Sequence, residues 1–289
     1  MFTLNSFSND FVIEGNVLVK YHGTATDVTI PDNIEKIGGN AFSGKKIVSV
    51  SFPNSVKIIE GGAFTGCTEL ISINLPNSVE IIEDYAFTGC NKLISFYISS
   101  SVKSIGDQVF SRCDKLADID VDPGNPYFTS KEGVLYSKNM DKIVRYCAVN
   151  PGTFIIPSSV TDIQGYAFEY CQNLTVVTIP SSVVNIESGA FFACEGLKAV
   201  IIEGDDRILY PDHATFDHID LSNCLLIVPN GTITYYEQPD LVWNYFIIKE
   251  IEDFESYSIN YELNGGNNHT SNPDKYIAGI ELTLKNAQK

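Results

Sequence analysis

A period of 23 residues constrains this chain more than any other feature. Cysteine falls at Cys67, Cys90 and Cys113, and again at Cys171 and Cys194, with 23 residues from each to the next within a run. A small residue followed by phenylalanine keeps the same beat at Ala41-Phe42, Ala63-Phe64, Ala86-Phe87, Val109-Phe110, Ala167-Phe168 and Ala190-Phe191. Proline recurs at Pro31, Pro53, Pro76, Pro157 and Pro180, with Ser99 in the missing place. An aliphatic residue recurs at Ile47, Leu70, Leu93, Leu116, Leu174 and Leu197. The first unit lacks one residue after Gly44, so its phenylalanine spacing is 22. A unit this short cannot bury its own apolar side. It is stable only when copies stack, which dictates a solenoid.

One unit runs from Leu70 to Cys90. Leu70, Ile73 and Leu75 follow a Leu-x-x-Leu-x-Leu pattern, which in short repeats marks a strand. Pro76 ends the ladder because it has no N–H to donate. Val79 and Ile82 then point back into the same core, and Glu83-Asp84-Tyr85 before Ala86-Phe87 supports a tight bend. With 23 residues per coil there is room only for a short helical or 3₁₀ turn near Ala-Phe-x-x-Cys. The expected cysteine column is buried, each thiol acting as a small apolar group.

The residues Ile-Pro-x-x-Val-x-x-Ile-x-x-x-Ala-Phe-x-x-Cys-x-x-Leu, as in Ile156 to Leu174, resemble the BspA-type leucine-rich repeat of bacterial surface proteins. The resemblance covers about residues 28–252. It implies a β-rich leucine-rich repeat solenoid, with a curved parallel sheet on the concave face and short helical or 3₁₀ turns elsewhere. It also implies a cell-surface or secreted protein.

Residues 1–27 are expected to form an N-terminal β cap, from the alternating stretch Phe11 to Tyr21. Residues 28–252 form the solenoid. Its irregular insert, about 122–155, holds Asn125-Pro126-Tyr127-Phe128 and Gly133-Val134-Leu135-Tyr136 and reads as a hairpin. Its closing segment, about 203–252, carries Tyr235, Tyr236, Trp243 and Phe246 to seal the last coil. Residues 253–289 are expected to be a partial small β module or tail. There Tyr257-Ser258-Ile259-Asn260-Tyr261-Glu262-Leu263 alternates and resembles the start of an internalin B-repeat module, whose aromatic second half is absent.

Charge and motifs exclude several functions. Lys+Arg is 19 against 36 Asp+Glu, a net charge of -17, which disfavours nucleic acid and anionic membranes. No apolar run approaches a membrane span, and no secretory signal is visible at Met1-Phe2-Thr3-Leu4. Seven cysteines without a Cys-x-x-Cys pair give neither a zinc site nor a thioredoxin-like pair. Gly39 to Lys45 fits the Gly-x-x-x-x-Gly-Lys frame, but Lys46 stands where magnesium binding needs Ser or Thr, and the stretch is in register with the repeat. Asp118, Asp120 and Asp122 open like a calcium loop, yet Pro123 and Thr129 stand where an EF-hand needs Gly and Glu. That run is expected to be a solvated acidic face. His213 and His218, beside Asp212 and Asp217, lack the i, i+4 spacing of a helical metal pair and are expected in an exposed loop. There is no Gly-x-Ser-x-Gly elbow. The chain therefore reads as non-enzymatic, with no catalytic residues, no metal and no cofactor.

Outward residues alternate with buried ones along each concave strand. The outward pairs are Ser49/Ser51, Ser72/Asn74, Ser95/Tyr97, Asp118/Asp120, Val176/Thr178 and Ala199/Ile201. The candidate ligand-binding face comprises Ser72, Asn74, Ser95, Tyr97, Asp118, Asp120, Val176 and Thr178. The expected partner is a host or neighbouring-cell protein or glycan. The rival expectation is a structural spacer that presents another domain at the cell surface.

Overall fold

The computed structural model describes residues 10–147, 149–150, 152–204 and 211–251, together with the backbone of the strands Ser256–Ser258 and Lys275–Ile277. Those two strands pair antiparallel. The internalin-type resemblance falls on 253–289 and otherwise lies outside the described residues. The rest is a β-solenoid whose regular coils have three walls.

The Leu70–Cys90 unit shows how residues build the walls. Ser72–Ile73 is the inner strand. A turn closed by the Val79 amide on the Pro76 carbonyl (3.0 Å) leads to a second strand, Ile81–Ile82. The third wall is a pair of turns, with Thr88 N–H donating to Tyr85 and Cys90 N–H to Phe87. These are i to i−3 bonds, as in a 3₁₀ helix, but a left-handed residue breaks the run every four positions. Glycine supplies it at Gly62 and Gly66 (φ 66° and 70°), and Tyr85 (φ 61°) holds it without that freedom. Helical turns described in the chain lie instead in the closing segment, as at His213–Phe216 and Ile233–Tyr236.

Coils stack through in-register backbone bonds on all three walls. Inner strands pair parallel, Ser72 opposite Ser95 and Ser95 opposite Asp118. The Ile-Ile strands form a second parallel ladder, Ile37 beside Ile59 beside Ile82. On the third wall the phenylalanine amides step along the axis, Phe42 to Ala63, Phe64 to Ala86 and Phe87 to Val109. This brings the rings face to face, with Phe42–Phe64 centroids 5.0 Å apart and Phe64–Phe87 centroids 5.3 Å apart.

The insert divides the stack into two blocks. The inner wall, whose ladder is also interrupted between Ser49–Ser51 and Ser72–Ile73, breaks between Asp118–Val121 and Thr153–Ile155, and the second ladder breaks between Ser104–Ile105 and Lys142–Tyr146. Between them the strands Phe128–Lys131, Val134–Ser137 and Lys142–Tyr146 form an antiparallel meander. Its two faces serve different cores. Leu135, Val144 and Cys147 join the core of the first block, while Val134, Tyr136, Ile143 and Tyr146 join that of the second.

This meander reproduces the chain's N-terminal hairpin. There Phe11–Glu14 pairs antiparallel with Val17–Tyr21, which pairs parallel with Lys36–Ile37. Lys142–Tyr146 likewise pairs parallel with Asp162–Ile163. Tyr21 N–H donates to Ala41 and its ring lies 5.1 Å from Phe42. Tyr146 N–H donates to Ala167 and its ring lies 5.0 Å from Phe168. The N-terminal hairpin turns Val12 and Ile13 to solvent, whereas the meander's corresponding face is covered by the first block. Each block thus opens with a tyrosine on its aromatic column. The second column ends on Phe216, capped by Trp243 and Phe246 at 5.4 and 5.2 Å.

Candidate functional site

The inner face of the first block carries two rows of outward side chains. One row is Asp27, Ser49, Ser72, Ser95 and Asp118; the other is Thr29, Ser51, Asn74, Tyr97 and Asp120. Strand alternation places them, because Val28, Val50, Ile73, Phe96 and Ile119 between them are buried. The parallel pairing then sets Tyr97 opposite Asp120 and Ser95 opposite Asp118. Among these ten positions there is no lysine or arginine, so the rows carry only negative charge.

Tyr97 is the large side chain of the face, with 42% of its surface open. Its hydroxyl donates to Asp122 Oδ2 at 2.9 Å, and Asp122 Oδ1 accepts from Gly124 N–H at 2.7 Å. The hydrogen bond to the Asp122 carboxylate, with Asp120 nearby, raises the Tyr97 pKa above that of an ordinary tyrosine. The ring is held at one end and presents its body to solvent. At the other end of the rows, Ser49 Oγ donates to Asp27 Oδ1 at 2.6 Å.

Of the eight residues expected from sequence, Ser72, Asn74, Ser95, Tyr97, Asp118 and Asp120 share this exposed face. Val176 and Thr178 do not. They are 3% and 7% exposed and belong to the second block, where the outward side chains of the middle strands, such as Ala199 and Ile227, are also buried. Alternation assigns a residue to a side of the sheet, but says nothing of what covers that side. Two features escaped the sequence reading. Asp122 anchors Tyr97, and an aliphatic stripe borders the rows: Ile71 and Ile94 are 44% and 53% exposed, with Ile94 N–H bonded to Ile71 and Ala117 N–H to Ile94. The signal was an isoleucine directly after two of the leucine anchors, at Leu70-Ile71 and Leu93-Ile94.

Other candidate groups are absorbed by structure. Lys45, of the Gly-x-x-x-x-Gly-Lys frame, sits over the Tyr21 ring at 5.4 Å and donates to the Gly23 carbonyl. Asp212 caps the turn His213–Phe216 through Thr215, while His213 and His218 pack against Tyr245 and Phe192. Among the described residues no three His, Cys, Asp or Glu are grouped to hold a metal, and no helix is long and apolar enough to cross a membrane. All seven cysteines are buried and unbridged. Burial pushes the thiols of Cys67, Cys113, Cys147 and Cys224 up to about 12, so they stay protonated.

A polar seam joins the blocks on the third wall. The buried Arg145 donates to the carbonyls of Tyr166 and Glu169 at 3.0 and 3.1 Å. Arg112 lies over the Tyr170 ring at 4.8 Å, and Gln164 donates to Asp107 at 3.0 Å. A cavity of about 10 Å³ here, lined by Gln108, Arg145 and Tyr166 among others, has room for one water.

The family model for the BspA type leucine rich repeat region matches in six copies over residues 16–131 and 141–238, and the chain belongs to this family. A search of curated proteins finds no match. Among solved structures, a leucine-rich repeat protein from Eubacterium ventriosum is similar at 21% identity, with a TM-score of 0.57, over 75% of this chain and 73% of that one. The pneumococcal vaccine antigen PcpA is similar at 17% identity, with a TM-score of 0.45, over 84% and 96%. A leucine rich cell surface protein from Faecalibacterium prausnitzii is similar at 21% identity, with a TM-score of 0.39, over 83% and 91%. The Eubacterium structure shares the repeat fold with this chain.

Proposed function

We propose that this is a non-enzymatic binding or adhesion protein of the cell surface or secreted space, which recognises a protein or glycan ligand of a host or neighbouring cell. Its ligand face is the inner sheet of the first block. The observation that carries this reading is the Tyr97 ring, fixed by Asp122 and flanked by Ser95, Asp118 and Asp120 in parallel register. A tethered aromatic body beside carboxylates and hydroxyls combines stacking area with directional acceptors. Such anchors carry most of the energy in protein and glycan recognition. Repeat proteins use extended concave sheets of this kind for binding. Membership of a repeat family found in bacterial surface proteins supports the surface location, and the lack of an acid/base pair among the sequence motifs supports a non-catalytic role.

The test is a binding screen of the purified chain against immobilised extracellular-matrix proteins and a glycan array. A saturable hit is expected, weakened about tenfold or more by Tyr97→Ala and by Asp118→Ala with Asp120→Ala. A hit whose affinity these changes leave untouched overturns the inner-face site. A blank against both panels overturns the adhesion reading.

A further inference from the structure

The outward side chains of the first block's inner sheet form an exposed and ordered surface. Strand pairing sets Ser72 beside Ser95 beside Asp118, and Tyr97 beside Asp120. The apolar stripe of Ile71 and Ile94, 44% and 53% exposed, runs along one side of these rows. Tyr97 stands on the other side, with its hydroxyl held by Asp122 and much of its ring in solvent. Asp118 and Asp120 leave the same side of one strand, so their Cα atoms are about 7 Å apart. The ion pairs described in this block, Lys57–Glu35, Lys92–Glu69 and Lys103–Glu80, use neither of them. Lys92 and Lys115 sit in the corner turns before the strands, beyond the buried Leu93 and Leu116. Two like charges fixed side by side without a counter-charge favour a cationic occupant.

We propose that this surface binds a basic segment of a partner protein, with an arginine side chain lying on Tyr97, its guanidinium reaching Asp120, and an aliphatic side chain against Ile94. The proposal rests on the inner face of the first block being the ligand face, and narrows the ligand to one chemistry. A guanidinium meets both features at once, since its plane stacks on an aromatic face while its N–H groups fork onto a carboxylate. In-register neighbours on adjacent strands lie about 4.8 Å apart, which puts Asp120 within reach of a guanidinium seated on the Tyr97 ring. The chain uses the same stacking within itself, where Arg112 lies over the Tyr170 ring at 4.8 Å. An ammonium gains the charge attraction but has no plane to stack, and a neutral sugar leaves the repulsion between Asp118 and Asp120 in place. At a net charge of -17, the field of the whole chain also steers a basic partner towards it.

The probe is a short peptide alternating leucine and arginine, titrated against the full chain at two salt concentrations, with lysine and glutamate versions beside it. Saturable binding of the arginine peptide is expected, tighter than that of the lysine peptide, and none of the glutamate peptide. Asp118→Asn with Asp120→Asn is expected to weaken it about tenfold or more. Glu237→Gln with Asp240→Asn removes the same charge from exposed residues of the closing segment, and is expected to change it by less than about twofold. Tyr97→Leu is expected to erase the preference for arginine over lysine. All the altered side chains are exposed, so the fold is kept, which circular dichroism verifies. Equal weakening by the two charge pairs overturns the proposal, because the affinity then belongs to net charge. An arginine peptide that does not bind, or binds no better than lysine, overturns it too. Failure of the ligand face itself reads differently. A matrix-protein or glycan hit that ignores Tyr97→Ala removes the face, whereas a hit that needs Tyr97 and is not displaced by the arginine peptide keeps the face and rejects the basic occupant.

Discussion

The Cys67 thiol donates a hydrogen bond to the carbonyl oxygen of Phe42, 3.1 Å away and one coil back. Cys90 makes the same contact with Phe64, Cys113 with Phe87 and Cys194 with Phe168. The cysteine column thus ties each coil to its predecessor while staying apolar enough for the core. Burial holds the Cys67 thiol at about 12, far from the thiolate that reacts with alkylating agents. Native protein at pH 8 is expected to resist iodoacetamide, with all seven cysteines reacting only after denaturation. Mass spectrometry reads the count, and stoichiometric labelling of Cys67 in the folded state would contradict the burial.

Phe87 carries the aromatic column across the middle of the first block, stacked on Phe64 and lying 5.1 Å from Phe96 on the inner strand. Phe87→Ala leaves a void that neighbouring coils cannot close, since their spacing is fixed by three walls of backbone bonds. The expected cost is about 3–5 kcal/mol in urea unfolding. A loss well under 1 kcal/mol would show that the column does not hold the coils together.

Arg145 and Lys20 occupy equivalent positions, each directly before the tyrosine that starts a block. Lys20 Nζ donates to the Asn40 carbonyl at 3.1 Å in an exposed setting. Arg145 donates to the equivalent Tyr166 carbonyl and to Glu169, but is buried because the first block packs over it. Arg145→Ala strands two carbonyls at the seam and is expected to cost about 3 kcal/mol. Lys20→Ala is expected to cost about 0.5 kcal/mol or less, as water replaces the lysine. Comparable losses in the two variants, measured by thermal or urea unfolding, would remove the distinction between an outer cap and an internal one.

The repeat could be read from the sequence because it is enforced at every coil. Phe42, Phe64 and Phe87 must stack, so their spacing is written into the chain. The partition into two blocks carries no period. Tyr21 and Tyr146 begin equivalent hairpins, yet their local sequences share little beyond a basic residue and a tyrosine, Lys20-Tyr21 and Arg145-Tyr146. The second ladder, through Ile58–Ile59 and its neighbours, was hidden because two residues are too few for an alternation. The polar rows at Ser72, Ser95 and Asp118 followed from alternation alone. The burial of Val176 and Thr178 did not, because cover over a sheet face is a long-range property.

Glu169 gives the seam a dependence on pH. It is 4% exposed, and desolvation raises its pKa above 4.5, against the pull of a Ser111 hydrogen bond and of the Arg145 and Arg112 charges. Its Oε2 has no hydrogen-bond partner. A carboxyl whose folded-state pKa is raised binds its proton more tightly in the folded than in the unfolded chain. Its contribution is therefore fully present below the unfolded pKa and is lost as pH rises from about 4.5 through the raised value. Glu169→Gln keeps the shape and the Ser111 contact but cannot ionise. The variant is expected to gain on the wild type as pH rises from 4 to 8, read as the difference in urea midpoints at matched pH. A difference that stays constant over that range, or moves in favour of the wild type, would show that the carboxylate is satisfied at the seam by Arg145 and Arg112 instead of being held there at a cost.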